Sequence, residues 1–313
     1  MCMKLGLIIY TNDIQPSSKW ITWGQKQEFK YEDPEFRVTD EVRKAFDECG
    51  FIIVRGLMDD VETGKIKKSL EEYGLVEKYA YGVPDAVGRE PKVLLWCYTG
   101  NDVLGLVPRL EKVASTAEQL LGGDELYHYH TKVMMKDAQK GGSFEWHQDY
   151  GYWYKNGNLR PDMISLFLAV DPCIQENGGL QVLVGSHSGG RVDHNFDGGQ
   201  QGADKERVEH LKKIYPHCFV NLQPGDGIIF HCLLLHSSGP NDSAMRRWAF
   251  NCSYNKRSNN PVKKHHHPFY HKLDKVGNNV LRECDNYCEP EGKEFVDPST
   301  DATVKAGSKP AEQ

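Results

Sequence analysis

The chain has 313 residues, 39% hydrophobic and 11% aromatic, which is enough apolar mass for a substantial core in one large or two small domains. A formal charge of −6 argues against nucleic acid or an anionic membrane surface as the main partner, and no apolar run approaches the ~18 residues that would cross a bilayer. Nine cysteines with no C-x-x-C pair, and an LGLIIY run at residues 5–10 too short for a signal segment, predict reduced thiols in a cytoplasmic protein; the final Pro-Ala-Glu-Gln is not a Ser-Lys-Leu peroxisomal address.

Residues 1–37 are polar and read as an irregular arm laid on the body, with Trp20 and Trp23 as its anchors. Thr39 is placed to cap a helix carrying Val42, Ala45 and Phe46, which ends at Gly50 and leads into a buried strand from Phe51 to Val54. Asp59 or Asp60 starts a second helix with Val61, Ile66, Leu70 and Tyr73, stopped by Gly74. Residues 75–102, with Pro84 and Pro91, read as loop and receive no element. Leu110, Val113, Ala117 and Leu120 predict one helix over 104–121, closed by Gly122 and Gly123.

From residue 124 the period becomes that of strands, expected near 125–136, 144–149, 163–170, 180–184, 217–222, 227–235 and 246–254. Short strands punctuated by glycines, after helices that would cover one face, predict a mainly β domain: a double-stranded β-helix, the cupin-like jelly roll that houses mononuclear metal sites. The expected organisation is an arm over 1–37, the jelly-roll domain with its helical layer over 38–260, and an extension over 261–313 whose last residues, 289–313, are disordered or loosely attached. The Gly-rich, then charged, insertion over 190–212 reads as a lid.

The chemistry concentrates in FEWHQDYGYWY, residues 144–154, and FHCLLLHSSGPNDSAMRRW, residues 230–248. On a strand His147 and Asp149 would point to one side, and His236 lies in a second apolar run. Two imidazoles and a carboxylate on one face leave the opposite positions of an octahedral ion open, the arrangement of non-haem Fe(II) oxygenases. Ser238 and Arg247 follow, a hydroxyl and a guanidinium suited to clamping a carboxylate. His231, five residues before His236, would face the other way on a regular strand.

DECGFIIVRGLM, WHQDYGYWY, ENGGLQVLVGSH, LQPGDGIIFHCLLLHSSGPN and RRWAFNCSYN, in that order, resemble the phytanoyl-CoA dioxygenase family of Fe(II)/2-oxoglutarate oxygenases across residues 38–260. The aromatic run after the H-x-D is similar to the small-molecule branch that includes ectoine hydroxylase and proline 4-hydroxylase-like proteins. The resemblance implies that His147, Asp149 and His236 bind iron, that Arg247 and Ser238 hold the far carboxylate of 2-oxoglutarate, and that Lys132 is a further cosubstrate contact; Met134 stands where a polar side chain is common. It also implies dioxygen as co-substrate and hydroxylation of a small molecule, first an amino acid or similar zwitterion, second a fatty acyl-CoA.

Tyr150, Tyr152 and Trp153 are candidates to wall the substrate pocket, with half of this aromatic run buried by alternation, and His187 and Arg191 to reach the substrate from the turn after NGG. His265, His266, His267 and His271 read as a solvated connection, since adjacent histidines on a loop diverge. GDGIIF lacks the Lys-Ser/Thr of a phosphate cradle. A zinc hydrolase and a catalytically silent binding module on the same scaffold are the alternatives. Oligomeric state has no signal in the sequence.

Overall fold

A computed structural model describes residues 27–32, 36–197 and 200–299; Trp20, Trp23 and the end of the tail lie outside them. The chain enters on β1 (Glu28–Lys30), which runs parallel to β2 (Phe51–Arg55). Between them, α1 (Asp40–Cys49) begins where Thr39 Oγ1 accepts the Val42 N–H and stops at Gly50, φ 81°. A Cβ at Gly50 would also stand 2.5 Å from the His187 ring, so both backbone and packing exclude a side chain there.

Helix α2 (Asp60–Glu71) opens with a capping box, in which Asp59 Oδ1 accepts the Glu62 N–H and Glu62 Oε2 accepts the Asp59 N–H. The stretch given no element holds α3 (Leu75–Tyr79), β3 (Tyr81–Gly82) and β4 (Lys92–Trp96), which extend the sheet. The single helix expected over 104–121 is two, α4 (Val103–Leu106) and α5 (Glu111–Leu120), joined by a tight turn through Pro108, whose ring and missing N–H break a continuous helix.

The remaining strands are β5 (Leu126–Lys136), β6 (Phe144–His147), β7 (Met163–Ala169), β8 (Leu180–Leu183), β9 (His194–Asp197), β10 (Gln200–Ala203), β11 (His217–Phe219), β12 (Gly227–His231), β13 (His236–Ser238) and β14 (Arg247–Lys256). Eight form one sheet in the order β1-β2-β12-β7-β14-β5-β4-β3, four form a second in the order β11-β8-β13-β6, and β9 pairs with β10 alone.

Period-2 alternation divides the large sheet's side chains between two cores. Ile52, Val54, Leu166, Ile229 and Phe250 pack with Val42, Phe46, Ile66, Leu70 and Val113 of the helices. Phe51, Ile53, Phe167, Ile228 and Phe230 pack instead with Leu180, Val182 and Val184 of the small sheet. Two sheets closed over one apolar interior, with helices outside, make the jelly roll that the sequence predicts.

Three boundaries differ from the sequence reading, and each bears on the site. Strand β6 stops at His147, and Asp149 begins a short helix, α6 (Asp149–Trp153). The apolar run 227–235 is interrupted after His231, so His236 starts a separate strand in the other sheet. The insertion over 190–212 is the β9–β10 hairpin followed by α7 (Lys205–Leu211).

Past residue 260 the chain is exposed at many positions, yet as far as residue 299 it is tied to the body at several points, so 289–299 is attached rather than loose. Val276 bridges Leu110, Phe295 bridges Trp96, and Lys293, wholly buried, meets Asp102 at 2.7 Å. Asp102 also accepts the Gly105 N–H and the Glu289 N–H, so the buried pair is hydrogen-bonded on both sides. No helix among the described residues is long and apolar enough to cross a membrane, and no disulfide joins their cysteines.

Candidate metal centre and its chamber

His147 closes β6 and His236 opens β13, and the two are direct partners in the antiparallel ladder, with ring centroids 4.1 Å apart. Gln148 remains extended (φ −113°, ψ 135°) before α6 turns, so Asp149 reaches back to the same side although it has left the strand. Its Oδ1 lies 4.0 Å from His147 Nε2 and 3.9 Å from His236 Nε2. The three ligating atoms lie within 4.8 Å of one another, and among the described residues no other His, Cys, Asp or Glu joins the group.

Each imidazole is oriented by its own backbone. His147 Nδ1 is 2.7 Å from the Glu145 carbonyl and His236 Nδ1 is 2.9 Å from the Leu234 carbonyl. A carbonyl only accepts, so both Nδ1 atoms carry the proton and both Nε2 atoms present lone pairs to the gap. Burial pushes both rings below the ordinary imidazole range, which keeps them neutral. Asp149 is fixed through its other oxygen, which accepts from Ser165 Oγ at 2.8 Å. Two neutral imidazoles and one carboxylate oxygen converging from one side suit a divalent iron with open opposite coordination sites.

Beside this trio is a pocket lined by Lys132, Met134, Phe144, Phe167, Leu180, Phe230, Ser238, Arg247 and Asn251. Arg247 is 1% exposed, and its Nε and Nη1 have no hydrogen-bond partner. Burial lowers its pKa, because no carboxylate in contact repays the lost hydration. The neighbouring Arg246 is fully occupied by Asp171 and Glu71 at the surface, so only one guanidinium of the pair is available.

Lys136, directly across the ladder from Arg247, is also wholly buried; its Nζ donates to Ser238 Oγ at 2.6 Å and to the Gly178 and Gly239 carbonyls. Ser238 accepts from that ammonium, which frees its own proton to donate. Burial, then the charge of Arg247, holds the Lys136 pKa well below the usual lysine range. The buried Arg247 guanidinium and the Ser238 hydroxyl, the latter held by Lys136, give this pocket groups that can take an anion.

On the trio's other side is a larger chamber walled by Tyr81, Val83, Val93, Leu95 and Phe144 and by His130, Lys132, Tyr152, Trp153, Asn156, Gln200, Gln201 and His267. The β9–β10 hairpin roofs it, tied down where Tyr152 Oη donates to the Gln201 carbonyl (2.7 Å) and Gln200 Nε2 donates to the Ser143 carbonyl (2.9 Å).

Of the aromatic run, Tyr152 and Trp153 face this chamber. Tyr150 does not: it is 4% exposed within an apolar cluster, and its hydroxyl donates to the Asn158 carbonyl. The helix is the reason: at about 100° per residue Tyr150 and Tyr152 fall on opposite faces, where strand alternation would have put them on one. His187 and Arg191 also lie away from the site. His187 packs on His231 beside Gly50, with Nε2 3.1 Å from the Asp47 carbonyl, and Arg191 pairs with Asp193 at 2.7 Å while its guanidinium covers Tyr154. His231 stays outside the trio, as its register requires.

The site residues that sequence reading missed are His130, Lys136, Ser165 and His267. The first two had a signal, because His130, Lys132, Met134 and Lys136 share the parity of one strand.

Residues 46–249 match the family model for phytanoyl-CoA dioxygenase (PhyH). The L-proline trans-4-hydroxylase of Streptomyces griseoviridis is 28% identical over 240 residues, which is 70% of this chain and 87% of that protein. The ectoine dioxygenase of Streptomyces coelicolor is 25% identical over 214 residues, 63% of this chain and 71% of that protein. Among solved structures, EctD from S. alaskensis with bound Fe superposes with a TM-score of 0.66 at 20% identity, covering 82% of this chain and 93% of that one.

Proposed function

The chain belongs to the phytanoyl-CoA dioxygenase family and is a 2-oxoglutarate-dependent dioxygenase using Fe(II), 2-oxoglutarate and dioxygen, and from that premise we propose that it hydroxylates an unactivated carbon of a small amino acid or similar zwitterion. The observation that carries this reading is the pairing of an open-faced His147, Asp149 and His236 trio with a buried guanidinium in the adjoining pocket whose Nε and Nη1 lack hydrogen-bond partners.

Iron held by the trio supplies the activation of dioxygen that is coupled to decarboxylation of 2-oxoglutarate. The chain's own residues then set geometry and access. His147 and His236 offer Nε2 because their backbones hold Nδ1, and Ser165 aims Asp149. Arg247 takes the far carboxylate of 2-oxoglutarate through its unpaired guanidinium N–H groups, and Ser238, held by Lys136, donates its free proton to the same group. Lys132 borders both the pocket and the chamber and so stands between cosubstrate and substrate. The apolar wall and the tied-down hairpin exclude water from the reacting carbon. An intact Asp149 leaves no vacancy for a halide ligand, which favours hydroxylation.

The test is succinate release, strictly dependent on added Fe(II) and 2-oxoglutarate, across a panel of free amino acids and fatty acyl-CoA thioesters. Stimulation by at least one free amino acid and by no thioester is expected. Stimulation by thioesters alone replaces the proposed substrate class, and metal-dependent hydrolysis without succinate replaces the reaction.

A further inference from the structure

His130 and His267 belong to no part of the metal trio or the carboxylate receptor, yet both are buried side chains lining the substrate chamber. Their rings stack with centroids 4.8 Å apart and planes 28° apart, and Trp153 meets His130 edge-on at 5.8 Å. His267 arrives on the segment after β14, which is thereby built into the chamber wall. The Nδ1 atoms of both rings have no hydrogen-bond partner.

The proton bookkeeping assigns a role to His130. Ser165 gives its one hydroxyl proton to Asp149 Oδ2, at 2.8 Å. Ser253 Oγ has one proton and two acceptors that compete for it, Ser165 Oγ at 2.9 Å and Asn251 Oδ1 at 3.3 Å. With the Ser253 proton spent, the contact at 3.5 Å between Ser253 Oγ and His130 Nε2 requires the imidazole to donate. Nε2 then carries the hydrogen and Nδ1 carries a lone pair. Burial keeps the ring neutral, so Nδ1 is an unpaired acceptor in a water-poor site, a state that costs free energy until a donor arrives.

We propose that His130 Nδ1 is the specificity-determining acceptor for the amino or imino N–H of the prime substrate, with His267 stacked on it as the positioning residue. This rests on the zwitterion reading above and deepens it. The surroundings agree: Trp153 and Tyr152 present aromatic rings to a cationic nitrogen, Lys132 is available for the carboxylate at the opposite end, and the chamber lining contains no acid other than Asp149. The contacts His130–Ser253–Ser165–Asp149 also link this wall of the chamber to the metal ligand.

The experiment compares the free L-amino acid giving most succinate with the carboxylic acid of the same skeleton lacking nitrogen. In the wild type the des-amino acid should compete at least tenfold more weakly; equal competition overturns the proposal without any variant. His130→Phe keeps the stack and removes the acceptor, so KM for the amino acid should rise at least tenfold while KM for 2-oxoglutarate stays within twofold. His130→Gln, which retains an acceptor, should recover part of the loss. Full discrimination retained in His130→Phe overturns the proposal and leaves the amino acid reading standing, whereas a wild type that oxidises no free amino acid overturns both.

Discussion

Replacing Arg247 with Met should move cosubstrate affinity and fold stability in opposite directions. The guanidinium is wholly buried, Nε and Nη1 lack partners, and Lys136 lies directly across the ladder, so the fold without cosubstrate carries an uncompensated cation. Met fills similar space without charge or unsatisfied donors, and Arg247→Met should be as stable as the wild type, or more so, when 2-oxoglutarate is absent. Two charge-assisted hydrogen bonds to a carboxylate contribute on the order of 1.5 kcal/mol each at the low end, about 3 kcal/mol together. That corresponds to a rise of roughly a hundredfold in KM for 2-oxoglutarate. Succinate release at saturating iron reads the KM, and thermal unfolding with and without 2-oxoglutarate reads the linkage, which should raise Tm in the wild type and not in the variant. A KM within threefold of wild type, or a variant destabilised by more than about 2 kcal/mol without ligand, would show that the guanidinium is already paired inside the protein.

Two further predictions concern the metal and acid stability. Ser165→Ala removes the donor that holds Asp149 Oδ2, and chelator competition should show iron affinity falling by roughly 10- to 100-fold; unchanged affinity would mean that α6 alone orients the carboxylate. Burial drives His128 down to about 3 and His231 to about 4, so below about 6.5 the unfolded chain binds protons that the fold refuses. Stability should be complete above that pH and decline as pH falls towards 4, with each such histidine adding up to about 1.4 kcal/mol per pH unit. Urea midpoints at pH 7 and 5 measure the slope, and His128→Gln should flatten it; an unaltered slope would place the acid sensitivity elsewhere.

The convergence of His147, Asp149 and His236 was legible in their spacing, whereas the roles expected of Arg247 and Ser238 rest on the resemblance, to which the structure adds that both line the pocket beside the trio. Asp149 was found for a partly mistaken reason: the alternation needed was supplied by one extended residue, Gln148, rather than by a continuing strand. The different fate of Tyr150 has the same origin, since a helix separates it from the face of Tyr152 that a strand would have had them share. Parity along β5 contained Lys136 and His130, but a buried lysine without an acid runs against composition-based expectation. His267 had no periodic signal at all. Its place is fixed by tertiary contacts of a segment without regular structure, pinned further on by the buried Lys293–Asp102 pair.

That late wall has a consequence for how the enzyme comes into being. Translation delivers the last iron ligand and Arg247 before His267 and, 46 residues beyond Arg247, the Lys293 lock, a delay of roughly 2 to 9 s at ordinary elongation rates. For that interval a nascent chain holds every group that engages iron and cosubstrate beside an unfinished vestibule. A chain ended after β14 would stay in that condition, with the iron and cosubstrate groups present and the His267 wall of the chamber missing.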